Sequence, residues 1–353
     1  MKRVLLVKLS SMGDIIHTLP AVTDACQADP GLQLHWLVEE SFAEIPRWHS
    51  GVHQVHTVAL RRWKKGLLRG ENWRQANRAV RNLRRLHFDR AVDAQGLVKS
   101  ALTARLGCGA PLHGPHRSWA REPLSSLFYS SRHRVDPKDH VVQHMRALMA
   151  ASLDYALPTR AADYGLQRER LPAPPAELAE PPYMLLLHGA GWTSKAWPEA
   201  YWLELATQLW QQYQIPLYLP WGNLAEKQRA ERIVAGLSAG AHLLPRLKLG
   251  EMASLIADAH MVVGLDSGFG HLAAALGRPH ITLFGATNPH YSGVSSSSGT
   301  LLPAEYSCAP CMKRVCPLPV TSLDEAQIHP PCFKSLSPEL VLDAIKQQLK
   351  PEL

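Results

Sequence analysis

The sequence predicts an α/β protein built from two Rossmann-like domains, and three observations carry that prediction. Short apolar runs alternate with longer helical patterns from the first residues onward. The alternation dissolves around Pro158, Pro172, Pro174, Pro175, Pro181 and Pro182. It then resumes with a fresh buried run, Tyr183-Met184-Leu185-Leu186-Leu187. With 353 residues, 46% of them hydrophobic, the chain has enough apolar side chain for two cores of roughly 150 residues each.

In order, Arg3–Val7 reads as a buried strand, Gly13 through Ala25 as a helix, and Leu34–Val38 as a second strand. An apolar stretch, 55–60, runs into Arg61-Arg62-Trp63-Lys64, and 90–92 is a strand leading into Asp93-Ala94-Gln95-Gly96. Such alternation predicts a parallel sheet with helices on both faces. The second half repeats it, with strands at 184–187, 216–219, 260–263 and 281–284. Residues 295–299 read as a loop by composition, and 338–349 as a final amphipathic helix. The expected boundaries are a first domain over 1–165, a linker over 166–182 and a second domain over 183–337, with the terminal helix 338–353 returning to the first domain.

Charge is unevenly shared. Residues 1–150 hold 23 Lys+Arg against 12 Asp+Glu, and residues 151–353 hold 15 against 18. The first half is therefore expected to face an anion: nucleic acid, an anionic membrane and a phosphorylated substrate all fit such a field. No stretch approaches the roughly 20 apolar residues of a spanning helix, so the expected setting is cytosolic. Thiols are kept reduced there, so disulfides are not the default for Cys26, Cys108 or the cluster Cys308, Cys311, Cys316 and Cys332.

Several constellations follow strands. Ser10-Ser11-Met12-Gly13-Asp14 opens the first helix. It lacks the glycine fingerprint of a dinucleotide site and puts a carboxylate at the sheet edge where α/β ligands bind, although Asp14 could merely complement the helix dipole. Residues 61–90 hold eleven Lys+Arg; most read as a solvated helix face, but Arg61 and Arg62 at a strand end suit phosphate or carboxylate recognition. Asp93 through Ser100 supply a glycine turn, polar groups and Lys99 at the same edge. His188-Gly189-Ala190-Gly191-Trp192-Thr193-Ser194-Lys195 is a plausible diphosphate cradle. In Gly264-Leu265-Asp266-Ser267-Gly268-Phe269-Gly270-His271, small residues let a ligand reach a helix start beside Asp266 and His271; the alternative is a capped helix with a packed histidine. The four clustered cysteines could bind structural zinc, although free thiols fit the missing second CxxC better.

Taken together, VKLSSMGDIIHTLPA (7–21), WLVEESFAEIPRWH (36–49), ALRRWKK (59–65), DAQGLVKSAL (93–102), AREPLSSLFY (120–129), KAWPEAYW (195–202), LPWGNLAEKQRA (219–230) and GLDSGFGHLAAALGRP (264–279) resemble glycosyltransferase family 9 over nearly the whole chain. These are the ADP-heptose:lipopolysaccharide heptosyltransferases, and the first and fourth segments favour the type that adds the first heptose. The resemblance implies a GT-B fold, with an acceptor-binding first domain and a donor-binding second domain facing across a cleft. It implies inverting, metal-independent transfer of heptose from ADP-heptose to a Kdo residue of Kdo2-lipid A, without a cofactor, by a monomer held peripherally on the anionic cytoplasmic face of the inner membrane.

By the same resemblance Asp14 is similar to the general base. Lys195 is similar to the lysine on the donor phosphates, Glu226 to the carboxylate near the ribose and Asp266 to the residue contacting heptose. Ser267, Gly268 and His271 approach the diphosphate. Because the cradle here reads Gly189-Ala190-Gly191, where this type commonly has two hydroxyl residues after the histidine, the phosphate contacts are expected from Thr193, Ser194 or backbone N–H groups. Ser11, Gly13, Arg61, Arg62, Gln95, Lys99 and Arg121 look like the acceptor side. The rival readings are a type II or other family 9 enzyme and a basic nucleic-acid-binding protein, the latter without any recognised nucleic-acid module.

Overall fold

The computed structural model describes residues 2–66, 70–175, 182–293, 296, 298–320 and 328–349. Arg69 of the basic run, 176–181 of the expected linker, Ser295 and Ser297 of the serine loop and the terminal 350–353 lie outside the described residues. The chain divides into two compact units, Met1–Arg170 and Leu171–Leu353.

The first unit runs β1 (Arg3–Val7), α1 (Met12–Ile16), α2 (Leu19–Ala28), β2 (Gln33–Glu39), α3 (Glu44–Arg47), β3 (Val52–Val58), α4 (Leu60–Lys65), α5 (Gly70–Arg84), β4 (Arg90–Asp93), α6 (Val98–Gly107), β5 (Leu112–Pro115), β6 (Ser131–His133) and α7 (Val141–Leu153). Its six strands form one parallel sheet in the order β3-β2-β1-β4-β5-β6.

The second unit runs β7 (Met184–Leu187), α8 (Glu199–Tyr213), β8 (Leu217–Leu219), α9 (Leu224–Gly236), β9 (Ala241–Leu243), α10 (Leu249–Asp258), β10 (Met261–Leu265), α11 (Gly268–Ala275), β11 (His280–Phe284), α12 (Pro289–Ser292), β12 (Gly299–Pro303) and α13 (Pro338–Gln348). Its parallel order, β12-β11-β10-β7-β8-β9, is the same pattern. In each sheet the chain reverses its direction of winding beside the unit's first strand, between β1 and β4 and between β7 and β10. Open α/β sheets bind ligands at the carboxyl ends of strands at such a point.

Parallel strands covered on both faces read as unbroken apolar runs. Val4–Val7 and Met184–Leu187 are accordingly all buried. In the first unit, Leu83 from α5 and Ala101 and Ala104 from α6 close over Leu5, Val7 and Leu37. In the second, Trp197 and Trp202 stand edge to face at 5.0 Å and fill the core beneath α8.

Two expectations fail for identifiable reasons. The helix expected over 13–25 is two helices, because Pro20 has no N–H and its ring would strike a carbonyl one turn back; the chain breaks after Ile16 and restarts with Pro20 in the first turn of α2. The terminal helix belongs to the second unit, not the first. Val341, Leu342, Ala344 and Ile345 of α13 join the core with Phe333 and Trp202, and α13 packs on α8, β11 and β12.

Candidate active site

At the β1/β4 reversal the chain leaves the sheet through Lys8 and Leu9. Lys8 is buried, and its Nζ donates to the Ala94 carbonyl at 2.8 Å. Burial lowers the Lys8 pKa, opposed by the nearby Asp14 and Asp93 carboxyls. Gln95 braces the loop, its Oε1 accepting from the Leu9 and Ser10 N–H groups at 3.0 and 3.1 Å.

Asp14, in the first turn of α1, receives the Ser11 N–H at 2.9 Å and the Ser11 hydroxyl at 2.7 Å, both on Oδ2. The same oxygen lies 3.6 Å from Arg121 Nη1. Burial works to raise the Asp14 pKa; Lys8, Arg121 and the two Ser11 hydrogen bonds outweigh it and hold the carboxyl down at about 2.

Arg121 reaches this point because of Gly96. Its φ of +67° is a left-handed conformation that suits glycine, and a Cβ there would stand 3.3 Å from the Arg121 nitrogen. The Gly96 carbonyl then accepts from Glu122 N–H at 2.9 Å. Below it, buried Asp93 collects Tyr129 Oη and Ser100 Oγ at 2.8 Å each and the Gln95 N–H at 2.9 Å, while burial raises its pKa. Asp93 thus locks the β4–α6 turn that carries Gln95 and exposed Lys99.

Ser11, Gly13, Asp14, Gln95 and Arg121 are therefore gathered at one crevice. Arg61 and Arg62 are on α4, directly after the edge strand β3, and make their contacts with the end of β2 and the turn that follows it. Glu39 accepts from the Leu60 and Arg61 N–H groups at 3.2 and 3.1 Å. Arg62 forms a two-pronged pair with Glu40 at 3.0 Å on each prong, and Arg61 lies over the Phe42 ring. An open pocket of about 660 Å³ adjoins these side chains.

The reversal of the second unit has the same plan with different chemistry. Asp266, after β10, is buried between three partners: Lys195 Nζ at 2.5 Å, His271 Nε2 at 3.0 Å and Thr287 Oγ1 at 2.5 Å. Burial alone would raise its pKa, but the His271 hydrogen bond and the charges of His271 and Lys195 drive it well below the carboxylate range. Lys195 also sits 4.6 Å from the centre of the Trp192 ring.

Beside this cluster is a pocket of about 400 Å³, walled by Gly189, Pro220, Trp221, Glu226, Leu247 and Met252, among others, with Ser267 on its rim. Glu226 Oε2 accepts from Gly222 N–H at 2.7 Å. A Cβ at Gly189 would come within 2.9 Å of the Glu226 carboxyl, so glycine there keeps room for that side chain. Ser267 caps α11 through Gly270 N–H, leaving Gly268 in the first helical turn.

Of the cradle hydroxyls, Thr193 donates to the Arg314 carbonyl at 3.3 Å, and Ser194 is buried and donates to the Lys313 carbonyl. Ser194 thereby braces the cysteine segment instead of facing the pocket. Cys308, Cys311, Cys316 and Cys332 line one small void beside it. Among the described residues no group of His, Cys, Asp or Glu is arranged to hold a metal ion.

Sequence reasoning gave no role to Lys8, Glu39, Glu40 or Thr287, and placed Asp93 at the sheet edge without its part in bracing the turn. For Lys8 and Asp93 a signal was present, a charged residue ending an otherwise apolar buried strand. Thr287 had none, since it meets Asp266 only through the fold.

The model of glycosyltransferase family 9 (heptosyltransferase) matches residues 76–321. A lipopolysaccharide heptosyltransferase 1 of Pseudomonas aeruginosa is 46% identical, covering 98% of each chain. One of Salmonella typhimurium is 45% identical over 82% of this chain and 90% of its own. The solved structure of the E. coli heptosyltransferase WaaC with ADP superposes with a TM-score of 0.83 at 36% identity, over 98% of this chain and 99% of that one. The same enzyme with ADP-2-deoxy-2-fluoro heptose gives 0.78 at 37%, with the same coverage. Two parallel six-stranded sheets with flanking helices, a matching family model and these whole-length likenesses agree: the fold is GT-B, and the chain belongs to glycosyltransferase family 9, the heptosyltransferases.

Proposed function

We propose that this enzyme transfers L-glycero-D-manno-heptose from ADP-heptose to a hydroxyl of a Kdo residue in Kdo2-lipid A, inverting the anomeric carbon, in assembly of the lipopolysaccharide inner core. Asp14 carries the reading: a carboxylate with 18% of its side chain exposed at the first crevice, with its hydrogen bonds gathered on Oδ2. Oδ1, without a hydrogen bond among the described residues, is the oxygen that takes the acceptor proton. The acceptor oxygen attacks C1 of heptose from the face opposite ADP. As the bond from C1 to the diphosphate oxygen breaks, ADP leaves with the electron pair.

The second unit holds the donor. The pocket beside Glu226 suits a nucleoside, with apolar walls for the base and a carboxylate for ribose hydroxyls. Lys195, Thr193, His271 and the amides around Ser267 and Gly268 meet the diphosphate, and Asp266 reads heptose. Protein cations and helix amides take the leaving charge, so turnover persists in EDTA.

On the acceptor side, Ser11, Gly13, Gln95, Lys99 and Arg121 meet the acceptor around the reacting hydroxyl, and Arg61 and Arg62 meet further anionic groups on it. A base held near pKa 2 is weak. Acceptor carboxylates or phosphates that draw Arg121 off Oδ2 raise the basicity of Asp14 as the acceptor docks. No helix among the described residues is long and apolar enough to cross a membrane; the monomer reaches its lipid acceptor peripherally, from the cytoplasmic face.

The test is ADP release from ADP-heptose with Kdo2-lipid A in EDTA, comparing the native chain with Asp14→Ala. Turnover that collapses in the variant supports the reading. Turnover only on an already heptosylated acceptor moves the enzyme to the type II position, and activity surviving in Asp14→Ala removes that residue from the chemistry.

A further inference from the structure

Among the described residues the first unit exposes six large apolar side chains, and five of them sit on three neighbouring elements. Trp73 is on α5, Leu102 and Leu106 are on α6, and Leu124 and Leu127 are on the 3₁₀ turn Pro123–Phe128. The elements pack side by side: α6 touches both α5 and the turn. Arg84 Nε donates to the Leu106 carbonyl at 2.8 Å, and the Val98 N–H donates to Glu122 at 2.7 Å.

Local geometry sends these leucines outward together. With three residues per 3₁₀ turn, positions 124 and 127 eclipse, and Ser125 and Ser126 between them are buried. The two are 67% and 73% exposed. Arg132 Nε fastens the turn by donating to the Ser126 carbonyl at 2.7 Å. On α6, Leu102 and Leu106 are four apart and share a face with Lys99 and Arg105.

Around this apolar ridge the charge is one-sided: residues 70–134 hold 12 Lys+Arg against 4 Asp+Glu. Arg74, Arg78, Arg81, Arg84 and Arg85 are exposed along and just after α5, and Arg121, also exposed, lies two residues before the turn. Protruding aliphatic side chains set in a basic field match the headgroup boundary of an anionic bilayer, where cations stay with phosphates and leucines enter the acyl edge.

We infer that the α5–α6–3₁₀ face is the surface by which the first unit docks on an anionic lipid bilayer, with Leu124 and Leu127 as its inserted tips. This rests on the lipid-linked acceptor proposed above, and it adds an orientation. Arg121 belongs at once to the edge of this face and to Asp14, 3.6 Å away. A sugar just above the membrane plane is thus delivered beside the base.

The test is sedimentation of the full chain with phosphatidylethanolamine–phosphatidylglycerol vesicles and with phosphatidylcholine vesicles, neither containing acceptor. The native chain binds the first and not the second, and releases them at high salt. Leu124→Asp/Leu127→Asp weakens binding about tenfold, and Arg81→Glu/Arg105→Glu weakens it at low salt, while both keep native ADP release on detergent-dispersed acceptor. Equal binding by the leucine variant, or binding indifferent to headgroup charge, overturns the docking surface. Vesicle binding as expected, with no turnover on Kdo2-lipid A, would leave the surface standing and sink the acceptor reading instead.

Discussion

The two units share one topology, and each sets an aspartate at its chain reversal within reach of a lysine, yet the carboxylates are built for opposite tasks. Asp266 is 5% exposed and spends both oxygens on Lys195, His271 and Thr287. Asp14 is 18% exposed, its hydrogen bonds are on one oxygen, and its nearest guanidinium sits at 3.6 Å on a side chain that is itself 61% exposed. The fold decides where a ligand can sit, and the saturation of the carboxylate decides whether it positions a ligand or exchanges a proton. An aspartate held by three partners in a buried site has little reason to move; one held loosely from a single side can respond to an arriving anion.

The comparison breaks most visibly in paired substitutions. Asp14→Ala should lower kcat by about 10²–10⁴ and leave the KM for ADP-heptose within about twofold. Asp266→Ala should remove the centre of a buried network, at a cost of about 3 kcal/mol and several degrees in Tm. Thermal unfolding and steady-state kinetics on both variants would decide it. A larger Tm loss for Asp14→Ala than for Asp266→Ala would reverse the assignment of one carboxylate to proton transfer and the other to a fixed network that positions a ligand.

A finer division concerns Lys195. Its ammonium is shared between Asp266 and the Trp192 face, and the proposed diphosphate has to compete for it. Lys195→Ala should weaken ADP binding about tenfold, as expected for a lost charge-assisted hydrogen bond. The KM for the lipid acceptor should not change. Calorimetric titration with ADP reads the first effect; an acceptor KM that rises in step would mean that this lysine serves both substrates.

The same contrast explains what could be seen in the sequence. Alternating apolar runs and strand-end motifs pointed to two α/β units and to both crevices, because a buried parallel strand and the glycine-rich turn after it leave local marks. The strands β5, β6 and β9 left few such marks: Ser131–His133 is three residues of polar character, paired only because β5 lies alongside. The break at Pro20 was legible and overlooked. The attachment of α13 was not legible, since its apolar face could have served either core until Phe333 and the α8 tryptophans were in place. Residue roles divide in the same way. Asp14 and Asp266 stand in motifs, whereas the Arg62–Glu40 pair and the brace from Gln95 to the Leu9 and Ser10 amides are long-range contacts that no spacing announces.

The smallest expected effect is also the sharpest test of why Asp14 is left half-satisfied. Its folded pKa, about 2, lies below the ordinary carboxylate value because Lys8, Arg121 and Ser11 outweigh burial. A depressed carboxyl stabilises the fold above its unfolded pKa, near 3.9, and loses that contribution as pH falls towards 2. From neutrality down to about pH 4, therefore, Asp14 stays ionised, and kcat/KM should show no acid limb from this residue. Arg121→Ala removes one of the charges that hold the carboxyl down, so the Asp14 pKa moves upward and the acid limb with it. Lys8 and the Ser11 hydrogen bonds remain, so the limb should still lie on the acid side of neutrality. The measurement is kcat/KM against pH for native and Arg121→Ala enzyme at saturating donor. An unmoved limb combined with a raised acceptor KM would make Arg121 a binding residue alone and leave Lys8 to tune the base.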